Sequence, residues 1–97
     1  MITSWKKKWV KALRSEQYQQ TTYELQNSDG YCCLGVLREI MDPNDTDQRS
    51  EGGNLLSTKQ LAKCGLDHRM QKHLATMNDN GNSFTEIADY IEKRVRG

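Results

Sequence analysis

The chain opens on an amphipathic pattern. Trp5, Trp9, Ala12 and Leu13 recur at helical spacing while Lys7, Lys11 and Arg14 fall together on the opposite side, which predicts a first helix from Ser4. Over Tyr18 to Gln26 the period changes. Thr21, Tyr23 and Leu25 share one parity among frequent β-branched and aromatic residues, the pattern of a short strand. Asn27 to Gly30, "NSDG", carries turn chemistry. Cys33, Leu34, Val36, Leu37, Ile40 and Met41 then form a continuous apolar stripe at helical spacing, predicting a buried second helix over Tyr31 to Met41.

Polar residues separate this half from the next. Asp42 to Gly53 holds no apolar residue, contains the only proline and ends in a glycine pair, so it is expected as an exposed loop. Leu55 and Leu56 suggest a brief strand pairing with Tyr18 to Gln26. Ser57 and Gln60 have the spacing of a capping box, and Gly65 can take the left-handed conformation that ends the helix they begin. Asp67 can cap the next helix, in which Leu66, Met70, Leu74 and Met77 share one side. Asn78 to Asn82 reads as a turn. Ser83 and Glu86 repeat the capping box ahead of the stripe Phe84, Ile87, Ala88, Ile91 and Val95, with Asp89 and Lys93 spaced to pair on the exposed side. No internal repeat is present. The expected fold is α+β and mainly α: four to five short helices with a small two-stranded β element, in a single compact domain over residues 1–97.

Composition refines this picture. At 97 residues, 35% hydrophobic and 28% charged, the core is small, and self-association into a homo-oligomer would help it. Fourteen basic and thirteen acidic side chains leave a net charge of +1, so any attraction to nucleic acid must be local to one face. No stretch approaches the length needed to span a bilayer, and no apolar run precedes the first lysines, so an unexported, cytoplasmic protein with no membrane partner is expected. Three cysteines, two of them adjacent, make a poor disulfide framework and suit a reducing compartment.

Candidate chemistry is sparse. Cys32 and Cys33 stand about 100° apart on a helix and cannot both face one ligand, so Cys33 reads as a small buried hydrophobe. Cys32, near a helix amino terminus, is the better reactive thiol, although Asp29 just upstream would oppose a thiolate and compete for the same N–H groups. Zinc would need ligands from Cys32, Cys33, Cys64, His68 and His73, none of which has zinc-ligand spacing; Asp42, Asp45, Asp47 and Glu51 miss the positions of an EF-hand loop. No cofactor is expected. No nucleophile motif and no apolar pair of carboxylates marks a reacting centre. Lys7, Lys11 and Arg14, flanked by Lys6 and Lys8, could dock on phosphates or form an ordinary solvated face. The two short helices from Ser57 to Asn78 resemble a helix-turn-helix, but Arg69 and Lys72 make a thin recognition helix. Gly35 lies opposite the Cys33, Leu37, Met41 stripe and costs about 1 kcal/mol relative to alanine, so some element must approach its backbone. Either the Tyr18 to Gln26 segment approaches it, or a partner or ligand does, with Tyr31, Cys32, Arg38 and Glu39 around it.

The motifs "WVKALRSEQYQQ", "GYCCLGVL", "LAKCGL" and "LATMNDNGNSFTEIADYIE", which together span most of the chain, resemble those of a family of small proteins encoded by phages and prophages. The resemblance implies an accessory protein of the bacterial host cytoplasm, acting by binding and blocking a host component, either a defence protein or its nucleotide signal. With no catalytic constellation in view, the sequence reads as a non-enzymatic binding protein whose candidate contact residues are Tyr31, Cys32, Gly35, Arg38, Lys7, Lys11 and Arg14. The alternatives are a nucleic-acid-binding regulator using the basic face of the first helix, and a small thiol or zinc enzyme.

Overall fold

The computed structural model describes residues 1–44 and 55–97. In chain order its elements are α1 (Thr3–Arg14), β1 (Gln26–Asn27), β2 (Gly30–Tyr31), α2 (Cys33–Met41), α3 (Thr58–Cys64), α4 (His68–Asp79) and α5 (Phe84–Arg94). This is the mainly helical α+β class that the periodicity predicts. No helix among the described residues is long and apolar enough to cross a membrane.

Local chemistry sets the starts of the later helices. Ser57 Oγ accepts the Gln60 N–H at 3.1 Å while Gln60 Oε1 accepts the Ser57 N–H at 3.1 Å. Ser83 and Glu86 repeat the exchange at 3.1 and 2.8 Å. Asp67 accepts from the Arg69 N–H at 2.9 Å. Each such cap satisfies N–H groups that the first helical turn cannot, an effect of about 1 kcal/mol. Gly65, at φ +74°, closes α3 in the left-handed conformation.

The helices share one core. α1 lies against α5 and α2, α2 against α4, and α4 against α5. Trp9, Leu34, Leu37, Leu74, Ile87 and Ile91 are fully buried at its centre. The Trp9 indole N–H donates to the Cys33 carbonyl at 2.8 Å, which fixes the roll of α1 on α2 and satisfies the ring's one polar atom.

Five local expectations are corrected. Tyr18 to Gln26 is not a straight strand, because Tyr23 adopts φ +68° and breaks the alternation, leaving Leu25 buried and Tyr23 exposed. The segment instead curls so that both its ends pair with Tyr31, Gln20 through a parallel bridge and Gln26 through the β1–β2 hairpin. Leu55 and Leu56 form no strand; residues 53 and 54 and most of the expected loop lie outside the described residues. The Leu56 backbone is met by Gln71 on α4, whose side-chain amide accepts its N–H at 2.9 Å and donates to its carbonyl at 3.4 Å, as a neighbouring strand would. Helix α2 begins at Cys33 rather than Tyr31, since Tyr31 belongs to β2 and Cys32 is the cap. The buried side of α4 is Gln71, Leu74, Ala75 and Asn78, leaving Met70 and Met77 only partly covered. Asp89 turns to Arg14 of α1 at 2.7 Å and not to Lys93 on its own helix.

Candidate functional site

The seven candidate contact residues fall into two sets that the structure keeps apart. Tyr31, Cys32, Gly35 and Arg38 belong to the inward end of the hairpin and to α2. Tyr31 is half-buried edge-on to Tyr18, with ring centroids 5.3 Å apart, and burial followed by the nearby Glu39 raises its phenol pKa. Cys32 and Arg38 are each only 2% exposed. Gly35 is buried, and the element against it is the Tyr18 to Gln26 segment: an added Cβ would collide with the Leu25 carbonyl oxygen and stand 2.7 Å from its carbon. That contact accounts for the glycine without a ligand.

The thiols are placed for packing. Cys32 Sγ accepts the Gly35 N–H at 3.4 Å, so the cysteine itself caps α2, and Asp29 sits exposed in the hairpin turn instead of competing for those groups. Burial pushes the Cys32 pKa up to about 11, outweighing the N–H groups of Gly35 and Leu34 that favour its thiolate. Cys33, which donates weakly to the Leu74 carbonyl at 3.6 Å, and Cys64 shift upward through burial as well. Cys32, Cys33 and Cys64 should therefore resist Ellman's reagent in the folded protein at neutral pH and react together in denaturant. The linkage has a definite sign. A thiol raised from 9.0 to about 11 keeps its proton in the folded state while the unfolded chain ionises. Stability from Cys32 is thus complete below pH 9 and falls as pH rises toward 11, by about 2–3 kcal/mol. Urea midpoints at pH 8 and pH 10.5 check this, and a Cys32→Ser variant should show a shallower decline.

The second set lies on the outer side of α1, across the helix from Trp9. Lys7, Lys11 and Arg14 are all exposed there, and with Lys6, Val10 and Glu92 they line a shallow groove of about 720 Å³ between α1 and the end of α5. The floor is apolar, formed by Val10 and the aliphatic stems of the lysines. Two of the cations are already engaged. Lys6 Nζ donates to the Val95 carbonyl, and Arg14 pairs with both Asp89, at 2.7 Å, and Glu92. The hydrogen bonds that Arg14 donates to Asp89 and then to Glu92 raise its pKa. Among the described residues neither Lys7 nor Lys11 makes an ion pair, which leaves them as the free positive charges of the groove.

Sequence reasoning missed Glu92, Asp89 and Val10 as parts of this surface. One signal was present: Asp89 and Glu92 stand three apart on α5, a spacing that faces two carboxylates toward one external cation. A second hollow of about 740 Å³ lies between Met41 to Asn44 and Ser57 to Lys63. Its cation Lys63 is taken up by Asp42, at 2.9 Å, and by the Met41 carbonyl, at 3.1 Å.

The described side chains offer no assembled reaction centre. His68 contacts Gln71 at 3.0 Å, and His73 packs on Tyr90 with ring centroids 5.0 Å apart. Among the described residues no group of three or more His, Cys, Asp or Glu is placed to hold a metal ion. What the groove can do is bind: two uncommitted ammonium groups one helical turn apart over an apolar floor attract anions, and the carboxylates at the Arg14 end repel them.

No curated protein and no solved structure matches the chain. A family described as a domain of unknown function, DUF8296, matches residues 1–65, the stretch from α1 through the hairpin and α2 to the close of α3, and the chain belongs to that family.

Proposed function

We propose that this chain is a non-enzymatic binding protein that seats an anionic part of a host component in the α1 groove and thereby blocks it. The accessory role in a bacterial cytoplasm comes from the resemblance to phage and prophage proteins. The observation that carries the binding role is the pairing of Lys7 and Lys11, exposed and without a carboxylate partner among the described residues, with an apolar floor at Val10. The buried cysteines argue against a thiol enzyme, since a nucleophile needs both access and thiolate character. The nucleic-acid-binding reading uses the same lysines. It is weakened by Asp89 and Glu92, which set two carboxylates along the path a continuous polyanion would follow.

Replacing Lys7 and Lys11 together by alanine tests the proposal. Both positions are exposed, so melting should change by no more than about 0.5 kcal/mol, whereas affinity for an anionic partner should fall about tenfold. Isothermal titration of wild type and double variant against inorganic pyrophosphate, a nucleoside triphosphate, duplex DNA and an acidic peptide reads this. If every probe binds both proteins equally, or none binds either, the groove is not the working surface. Native mass spectrometry of protein purified from a bacterial host reports in the same experiment on a retained ligand and on the proposed homo-oligomer.

A further inference from the structure

We infer that the occupant of the α1 groove is an amphipathic helix of a partner protein with an ordered distribution of charge: acidic residues over Lys7 and Lys11, a basic residue over Glu92, and an apolar side on Val10. The inference rests on the binding function proposed above and names the class of its partner. Three features of the groove carry it. From Lys7 to Ser15 the groove follows α1 for about 12 Å at 1.5 Å per residue, close to two turns of a second helix laid alongside. Lys7 and Lys11 are about 6 Å apart along one face, the interval at which a helix presents carboxylates four residues apart.

The charge of the groove also changes sign along its length. Lys7 and Lys11 have no ion-pair partner among the described residues at one end, while at the other Arg14 is held by Asp89 and Glu92, both more than half exposed and able to accept a further cation. A uniformly negative ligand meets attraction at one end and repulsion at the other; a helix with acids first and a base one or two turns later meets attraction at both. Among the described residues the lining supplies Val10 and lysine stems but no aromatic ring on which a nucleobase could stack. Helix-in-groove binding uses an apolar contact and matched charges; Val10 with the lysine stems supplies the first, and Lys7, Lys11 and Glu92 supply the second.

The test uses the full chain and four probes in fluorescence anisotropy. The first is a labelled 16-residue helical peptide with glutamates four apart in one half, a lysine in the other and leucines on one side. The second has the same composition with its leucines scattered around the helix. The others are a nucleoside triphosphate and a 20-base-pair duplex. The ordered peptide should bind about tenfold more tightly than the scattered one, and Lys7→Ala with Lys11→Ala should lower its affinity about tenfold. Glu92→Gln should weaken the ordered peptide several-fold while strengthening the duplex. Equal binding of the two peptides overturns the inference. So does lysine-dependent binding of the duplex or the triphosphate without the ordered peptide, a result that leaves the proposed binding function standing. If no probe binds in a manner that depends on Lys7 and Lys11, both fall.

Discussion

Gly35→Ala should destabilise the folded protein severely. In an ordinary exposed helix this change stabilises by close to 1 kcal/mol, so the expected sign is itself diagnostic. At Gly35 the new methyl would lie inside the Leu25 carbonyl group, with its carbon at 2.7 Å and its Cα at 3.3 Å. The carbonyl cannot step aside cheaply, because it accepts the Cys32 N–H at 3.1 Å at the entry to α2. Relief requires α2 to move off the 18–26 segment, which would strain the Trp9 bond to the Cys33 carbonyl on its far side. Overpacking against backbone on this scale costs about 3 kcal/mol or more, against a total of roughly 5–15 kcal/mol for a domain of this length. The melting temperature should drop by about 12 °C or more at about 4–8 °C per kcal/mol. A Gly35→Ala protein that melts at or above the wild-type temperature would show that α2 does not press on Leu25.

The second large effect is expected at Asn78. Its Oδ1 accepts the Cys33 N–H at 3.0 Å and the Gln20 side-chain amide at 2.9 Å, while its Nδ2 donates to the Thr21 carbonyl at 2.8 Å. One buried side chain thus ties α4 to the first turn of α2 and to the curled segment before the hairpin. Asn78→Ala leaves the Cys33 N–H and the Thr21 carbonyl without those partners, and a buried orphan of this kind costs about 1–3 kcal/mol. With two of them the loss should be about 2–4 kcal/mol in urea unfolding. Lys72→Ala, an exposed change on the same helix, should stay within about 0.5 kcal/mol. A double-mutant cycle with Gln20→Ala should return a coupling of about 1 kcal/mol, and additivity would separate the two amides.

Asn78 also shows where the sequence was legible and where it was not. The caps at Ser57, Asp67 and Ser83 and the stop at Gly65 depend on residues within four positions of one another, so spacing alone locates them. The stripes of α1, α2 and α5 are equally plain because they are apolar. Helix α4 is different. Its inward face holds Gln71 and Asn78, seven apart, and both do the work of backbone: Gln71 serves Leu56, and Asn78 serves Cys33 and Thr21. A polar residue at a core position looks like a surface residue until its distant partner is known, which is why the pattern pointed to Met70 and Met77. The 18–26 segment failed for a related reason, since a single non-glycine residue at positive φ, Tyr23, turns alternation into a curl. For the groove, the lysines were legible and the opposite wall was not, because Glu92 comes from a helix far away in sequence.

The packing of α1 on α5 bears on the order in which the molecule can assemble. Within this stretch α1 is made well before α5, its widest support, so Trp9 and Leu13 must wait with part of their covering absent while some eighty further residues are made. During synthesis that greasy stripe is open to chaperones and to neighbouring nascent chains, and closure comes in one late, cooperative step when Ile87 and Ile91 arrive.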